Sequence, residues 1–186
     1  MSQREVVVLS GVRTAIADFG GTLKDEPASS LAGKVVAEAV SRSGLSPEDI
    51  GHCVIGSVLH GDRRAMYISR VAALKAGLPI ETPSLTVNRL CGSGLQALVS
   101  AAQMILLDDC DAAVAGGSES MSRAPYWLPA ARFGANMGDG SMVDSLTGVL
   151  TCPMGDIHMG VTAENVADQF SISREQQDEL AKQSHQ

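Results

Sequence analysis

Cys91 lies in Val87-Asn88-Arg89-Leu90-Cys91-Gly92-Ser93-Gly94-Leu95, where a β-branched run stops and a long apolar helix begins. The first turn of a helix carries unpaired backbone N–H groups and the positive end of a dipole, a setting that suits a nucleophilic thiolate. Glycines on either side of Ser93 let a substrate come close to the backbone. A free cysteine is otherwise a small buried hydrophobe, and Cys53 and Cys110 fit that description. Downstream of Cys91, the residues Leu95, Leu98, Val99, Ala102, Ile105 and Leu106 recur at helical spacing, with Gln96, Ser100 and Gln103 as a narrow polar stripe. No charged residue falls between Arg89 and Asp108. A helix this uncharged is expected to be buried along most of its length, with a rigid start.

The elements that must position Cys91 alternate strand and helix through the first two thirds of the chain. Glu5 to Ser10 reads as a buried strand. Ser29 or Ser30 caps a helix that runs to about Ser43 and ends at Gly44. Ser46-Pro47-Glu48-Asp49 starts a short turn with proline at its first helical position. His52 to Val58 is a second strand, and Met66 to Lys75 a helix stopped by Gly77 and Pro79. Ser84 to Asn88 is a third strand, Cys91 to Leu107 the apolar helix, and Ala112 to Ala115 a fourth strand. This alternation implies an α/β fold with a mostly parallel sheet and covering helices. From Met121 to Gly160 the pattern turns to glycine, methionine, proline and small residues with weak periodicity, a long excursion of the kind that is functional or disordered. Thr162 to Phe170 then reads as a helix, and Ser173-Arg174-Glu175-Gln176 as a capping box opening another. That last helix meets Gln186 with no stop signal, so the expectation is a truncated chain or part of a longer protein.

Several of these segments together carry a family resemblance. Asn88 to Leu98 resembles the nucleophile segment of the thiolases, specifically the bacterial β-ketothiolases (acetyl-CoA C-acyltransferases). Val8 to Thr14 (VLSGVRT) is similar to the family's first strand and turn. Gly116 to Ser122 (GGSESMS) resembles its strand-to-loop junction, and His158 to Val166 (HMGVTAENV) its pantetheine-contacting segment. The resemblance implies a thiolase-like mixed, mostly parallel sheet at 1–120 and, at 121–186, the start of a loop domain that covers the active site. It also implies that the C-terminal thiolase domain lies outside this chain.

The activity implied is CoA-dependent thiolytic cleavage of 3-oxoacyl-CoA and the reverse Claisen condensation, on acetoacetyl-CoA and short homologues. Cys91 would attack the 3-oxo carbon, release acetyl-CoA and hold the acyl group until CoA removes it; thioester chemistry suits a thiolate, which is both nucleophile and leaving group. The backbone N–H of Cys91 would help hold the oxyanion. By the same resemblance His158 and Met159 line the pantetheine tunnel. Glu119 is expected to accept backbone N–H groups at the loop junction, Asn88 to brace the turn and Gly92 to leave room beside Cys91. CoA enters as a substrate, and neither a metal nor a redox cofactor is implied. A homo-oligomer, dimer or tetramer, is expected on family grounds alone.

The family's general-base Gly-His-Pro, its C-x-G cysteine and its Asn-Glu-Ala asparagine do not occur in this sequence. Gly51-His52-Cys53 lacks the proline and opens a strand, so the base role is not carried over to it. His60 and His185 have no context that singles them out. Arg89, Arg123 and Arg132 could touch CoA phosphates, a neighbouring subunit or only solvent. Met137, Met142, Met154 and Met159 would serve as an adaptable apolar wall or as ordinary packing. Two other readings stay open: a non-catalytic assembly fragment of the same fold, and a cysteine hydrolase taking His52, His60 or His158 as base.

The chain has 186 residues, 45% hydrophobic and 19% charged, enough for one sizeable core. A net charge of −7 offers no basic field for nucleic acid or an anionic membrane. The N-terminus shows no signal-peptide pattern, and no apolar run reaches the roughly 20 residues that span a bilayer. Cysteines at 53, 91, 110 and 152 form neither a C-x-x-C pair nor a dense framework, so reduced thiols and a cytoplasmic location are expected.

Overall fold

A computed structural model describes residues 4–186, and chain packing divides it after Pro125. In the first unit a three-stranded, all-parallel sheet has β1 (His52–Gly56) at its centre, with β2 (Ser84–Val87) on one side and β3 (Ala113–Gly117) on the other. Side chains alternate across a strand, and β1 uses both faces. Cys53 and Ile55 join Ala32, Val36, Ile68, Ala72 and Ala73 of helices α1 (Ala28–Ser43) and α2 (Ile68–Lys75) in one core. Val54 faces the other way, onto Ala97 and Ala101 of α3 (Ser93–Leu106). Ile68, Cys53, Val54, Ala72 and Ala97 are wholly buried. A side chain the size of Ile68 contributes roughly 1.5–3 kcal/mol by leaving water.

Local chemistry sets the ends of these elements. Helix α1 starts earlier than its serines predict: Pro27, with φ −63°, is the N-cap, and Ser29 is buried within the first turn. It ends at Gly44, whose φ of +81° is the left-handed conformation that glycine adopts without cost. Ser46 and Asp49 close a capping box around the short 3-10 turn Pro47–Asp49. Strand β1 stops at Gly56, two residues before the predicted Val58, because the Glu119 carboxylate takes the N–H groups of Val58 and Leu59 at the sheet end.

Two expectations fail. Residues 5–10 are not a strand, because among the described residues no neighbouring strand supplies ladder partners. The segment is tied at its ends instead. Arg4 bonds to Ile105 O, Cys110 O and Asp111 and pairs with Asp108, while Ser10 Oγ donates to Ala39 O. Nor is α3 buried along its length. Its sheet-facing side is small, with Ala97 and Ala101, and its bulkier apolar residues point away, leaving Leu95 69% exposed and Leu98, Val99 and Leu106 exposed as well. No described element covers that face.

The second unit begins with a two-stranded antiparallel ribbon, β4 (Tyr126–Trp127) against β5 (Val143–Asp144). Asp144 caps the short α4 (Ser145–Val149) through the Leu146 N–H, and the Trp127 ring packs over Gly148. Helix α5 (Met159–Phe170) starts three residues before the predicted Thr162, because His158 serves as its N-cap. Helix α6 (Arg174–His185) opens on the expected Ser173–Gln176 capping box. No helix among the described residues is long and apolar enough to cross a membrane.

Candidate active site

Parallel sheets place ligands beyond the carboxyl ends of their strands, and it is there that β2 hands over to the turn carrying Cys91. Asn88 Oδ1 accepts the Leu90 N–H (3.0 Å). Arg89 N–H donates to Ser93 Oγ (2.9 Å), Ser93 Oγ donates to Leu90 O (2.6 Å), and the N–H groups of Gly92 and Ser93 close onto Arg89 O and Leu90 O. These bonds engage the N–H groups of residues 89, 90, 92 and 93. That of Cys91 is in none of them. Leu90 has φ +49°, rare for a leucine. Cys91 is a free thiol and is exposed.

The helix begins two residues later than predicted, with Gly92 as N-cap and Ser93 as the first helical residue, so Cys91 sits just outside α3 rather than in its first turn. Gly92, at φ −87° and with ordinary contact distance around a hypothetical Cβ, is required neither by conformation nor by crowding. The crowded glycines are those of the strands. A Cβ on Gly56 would fall 2.4 Å from Ser93 C, and one on Gly117 would fall 3.1 Å from Gly94 Cα. The first turn of α3 therefore rests on the bare backbone ends of β1 and β3.

Glu119 completes this junction. Its oxygens accept from Val58 N–H (2.7 Å), Leu59 N–H (3.2 Å) and Ser57 Oγ (3.4 Å), while Ser118 N–H donates to Gly56 O and Ser118 Oγ to Ala28 O. Glu119 thus ties the end of β1 to the segment that follows β3. Arg89 reaches along α3 to Gln96 Oε1 (2.5 Å). Arg123 is held by Asp25 O and Asp62.

Asn88, Cys91, Gly92 and Glu119 belong to the first unit; His158 and Met159 belong to the second. His158 is exposed and its Nδ1 accepts the Gly160 N–H (3.0 Å), which leaves Nε2 as the free ring nitrogen, and Met159 beside it is exposed. Met137, Met142 and Met154 are exposed too, so none of them is core packing. Among the histidines considered as a base, His52 opens β1 while Gly56 at its other end touches Ser93, a separation of roughly 13 Å along the strand. His60 is exposed, and no described histidine hydrogen-bonds to Cys91.

The other cysteines differ in kind. Cys53 has no exposure, donates to Ser69 O (3.7 Å), and is pushed up to about 12 by burial. Cys110 is half-buried and raised, first by desolvation and then by Asp109 and Asp111, with Arg4 opposing. Among the described residues no cluster of three His, Cys, Asp or Glu could hold a metal. Sequence reasoning passed over Ser93, Gly56 and Gly117. Only the adjacency of Ser93 to the nucleophile motif could have marked it, since the glycine contacts are made between segments far apart in the chain.

Residues 6–186 match the family described as Thiolase, N-terminal domain, and the chain belongs to that family. It is 60% identical to the Beta-ketothiolase BktB of Cupriavidus necator over 98% of its own length and 46% of that protein's. The fold superposes on an acetyl-CoA acetyltransferase from Bacillus anthracis with a TM-score of 0.90 at 40% identity, covering 96% of this chain and 45% of that one. It superposes equally well, at 0.90 and 41% identity, on a human mitochondrial 3-ketoacyl-CoA thiolase in complex with CoA, covering 95% of this chain and 45% of that one. The chain spans about half the length of the relatives it matches.

Proposed function

We propose that this chain supplies the nucleophile of a CoA-dependent acyl transfer, with Cys91 as the acylated residue. One observation carries the reading: the one exposed cysteine follows a parallel strand, beside an N–H that the surrounding turn leaves uncommitted. Membership of the thiolase family supports it. The Cys91 thiolate adds to the 3-oxo carbon of a short 3-oxoacyl-CoA, and the developing oxyanion is held in part by the Cys91 N–H. Cleavage of the C2–C3 bond leaves acyl-Cys91 and the acetyl-CoA carbanion, which takes a proton from a general acid. Attack by the CoA thiolate on the acyl group then releases the shortened acyl-CoA and restores Cys91. The reverse sequence joins two acyl-CoAs.

The histidine and second cysteine that move these protons in the family have no counterpart in this chain, so the scheme needs those groups from other polypeptide. His158 and Met159, with the free Nε2 and an exposed thioether, are assigned to the pantetheine arm. CoA is a substrate in this scheme, and the working protein is a cytoplasmic homo-oligomer.

The test is mass spectrometry after brief exposure to acetyl-CoA. The natural-length protein gains one acetyl group on the peptide containing Cys91, and Cys91→Ser gains none. The 186-residue polypeptide alone does not cleave acetoacetyl-CoA. Acetylation that persists in Cys91→Ser overturns the assignment of the nucleophile, and turnover by the 186-residue polypeptide overturns the need for proton-moving groups from other polypeptide.

A further inference from the structure

We infer that Ser93 is a positioning residue for the nucleophile. Its hydroxyl holds Leu90 in the left-handed conformation that sets where the Cys91 thiol emerges. The inference rests on the reading of Cys91 as the acylated residue.

A leucine at φ +49° is unfavourable and persists only where its surroundings over-determine it. Little is gained by packing the Leu90 side chain, which is exposed. The restraint comes from Ser93. Its oxygen accepts the Arg89 N–H at 2.9 Å and donates to Leu90 O at 2.6 Å, and its own N–H reaches Leu90 O at 3.0 Å. One residue thereby grips the Asn88–Arg89 peptide unit on one side and the Leu90–Cys91 unit on the other, closing the turn around Leu90. Ser93 itself is 4% exposed, and its backbone is pressed against Gly56 so closely that no Cβ fits between them. Sheet, serine and strained leucine form one rigid sequence of contacts ending at Cys91. The Ser93 hydroxyl is buried, with its donor and one acceptor lone pair engaged within the turn, so it acts through Leu90 and not on substrate.

The test is the rate of Cys91 alkylation by iodoacetamide in the natural-length protein, followed by peptide mass spectrometry at fixed pH. Ser93→Ala, shown to be folded by circular dichroism, is expected to slow alkylation by about tenfold, the scale of one lost hydrogen bond. Thiolytic kcat falls alongside it, with KM nearly unchanged. Asparagine tolerates positive φ far better than leucine, so adding Leu90→Asn to Ser93→Ala restores most of the alkylation rate, which a general loss of packing would not allow. If Ser93→Ala does not fold, Leu90→Val decides. A β-branched residue at this exposed, left-handed position slows alkylation even with Ser93 intact.

Unchanged alkylation in a folded Ser93→Ala, absence of rescue by Leu90→Asn, or an unaltered rate in Leu90→Val each overturns the inference. These rates are read without substrate. Failure of acetyl transfer to Cys91 in the unaltered protein would therefore count against the proposed reaction and not against the role of Ser93.

Discussion

At the scale of the residue, the four cysteines divide by surroundings. Cys91 meets solvent and Cys53 meets none. The consequence for Cys53 is a dependence of stability on pH. Its folded thiol titrates at about 12, above the 9.0 of an unburied thiol, so the native state holds the proton more tightly than the unfolded state does. Below pH 9 both states are protonated and Cys53 contributes no pH dependence. Between pH 9 and 12 the unfolded chain releases the proton first, and stability falls on the order of 3–4 kcal/mol across that interval. Denaturant titrations at pH 8 and pH 11 measure this directly. In Cys53→Ala the decline between these two pH values is shallower by about 2–3 kcal/mol, and an identical decline in both proteins would contradict the assignment. Cys91 was legible in the sequence because position alone marks it: a β-branched run, a cysteine, then an uncharged apolar helix. Ser93 was not, since a serine between two glycines gives no sign that its hydroxyl will be buried and doubly bonded.

At the scale of the element, the strand–helix alternation was readable because periodicity, glycine stops and capping boxes are local signals. What failed was non-local. Val6 to Leu9 have strand composition, yet a strand exists only when another offers its ladder, and none among the described elements does. Helix α3 was read as buried from its lack of charge, but composition says what a face can bury and not what lies against it. The start of α5 was missed because histidine is an unusual N-cap. The junction of β1, β3 and α3 was equally invisible, because it joins Gly56 to Gly94 and Gly117, which are far apart in the chain. It makes a sharp prediction. Gly56→Ala puts a methyl group 2.4 Å from the Ser93 carbonyl carbon, where backbone must yield. A loss of about 2–3 kcal/mol in unfolding free energy is expected. Gly116→Ala, with open space at the same end of the sheet, serves as the control and costs far less. Equal costs for the two would show that the contact is not tight.

At the scale of the molecule, the described residues leave much apolar surface bare. Val8 is 86% exposed, Leu107 74%, and Ile16, Phe19 and Leu95 are similarly open. On α3 the exposed Leu95, Leu98 and Val99 share one helix face, and exposed apolar patches mark an interface or a liability to aggregate. The 186-residue polypeptide is therefore expected to bind a hydrophobic dye such as anilinonaphthalene sulfonate several-fold more strongly, per mole, than a natural-length thiolase of matched concentration. Leu95→Glu and Leu98→Gln together reduce that binding without loss of helix content by circular dichroism. Dye binding no stronger than that of the longer protein would mean that these faces are covered after all.

The seating of α3 on β3 also has a consequence in time. Every pairing in the sheet is parallel and long-range, and such contacts form late because a large loop must close first. Gly117, which supports the turn of α3, is synthesised 26 residues after Cys91 (117 − 91). Arg4 waits longer still for Ile105 and Asp111. On the ribosome the thiol is thus made well before the β3 side of its seat, and a nascent chain stalled before β3 carries Cys91 in a turn that only β1 can yet support.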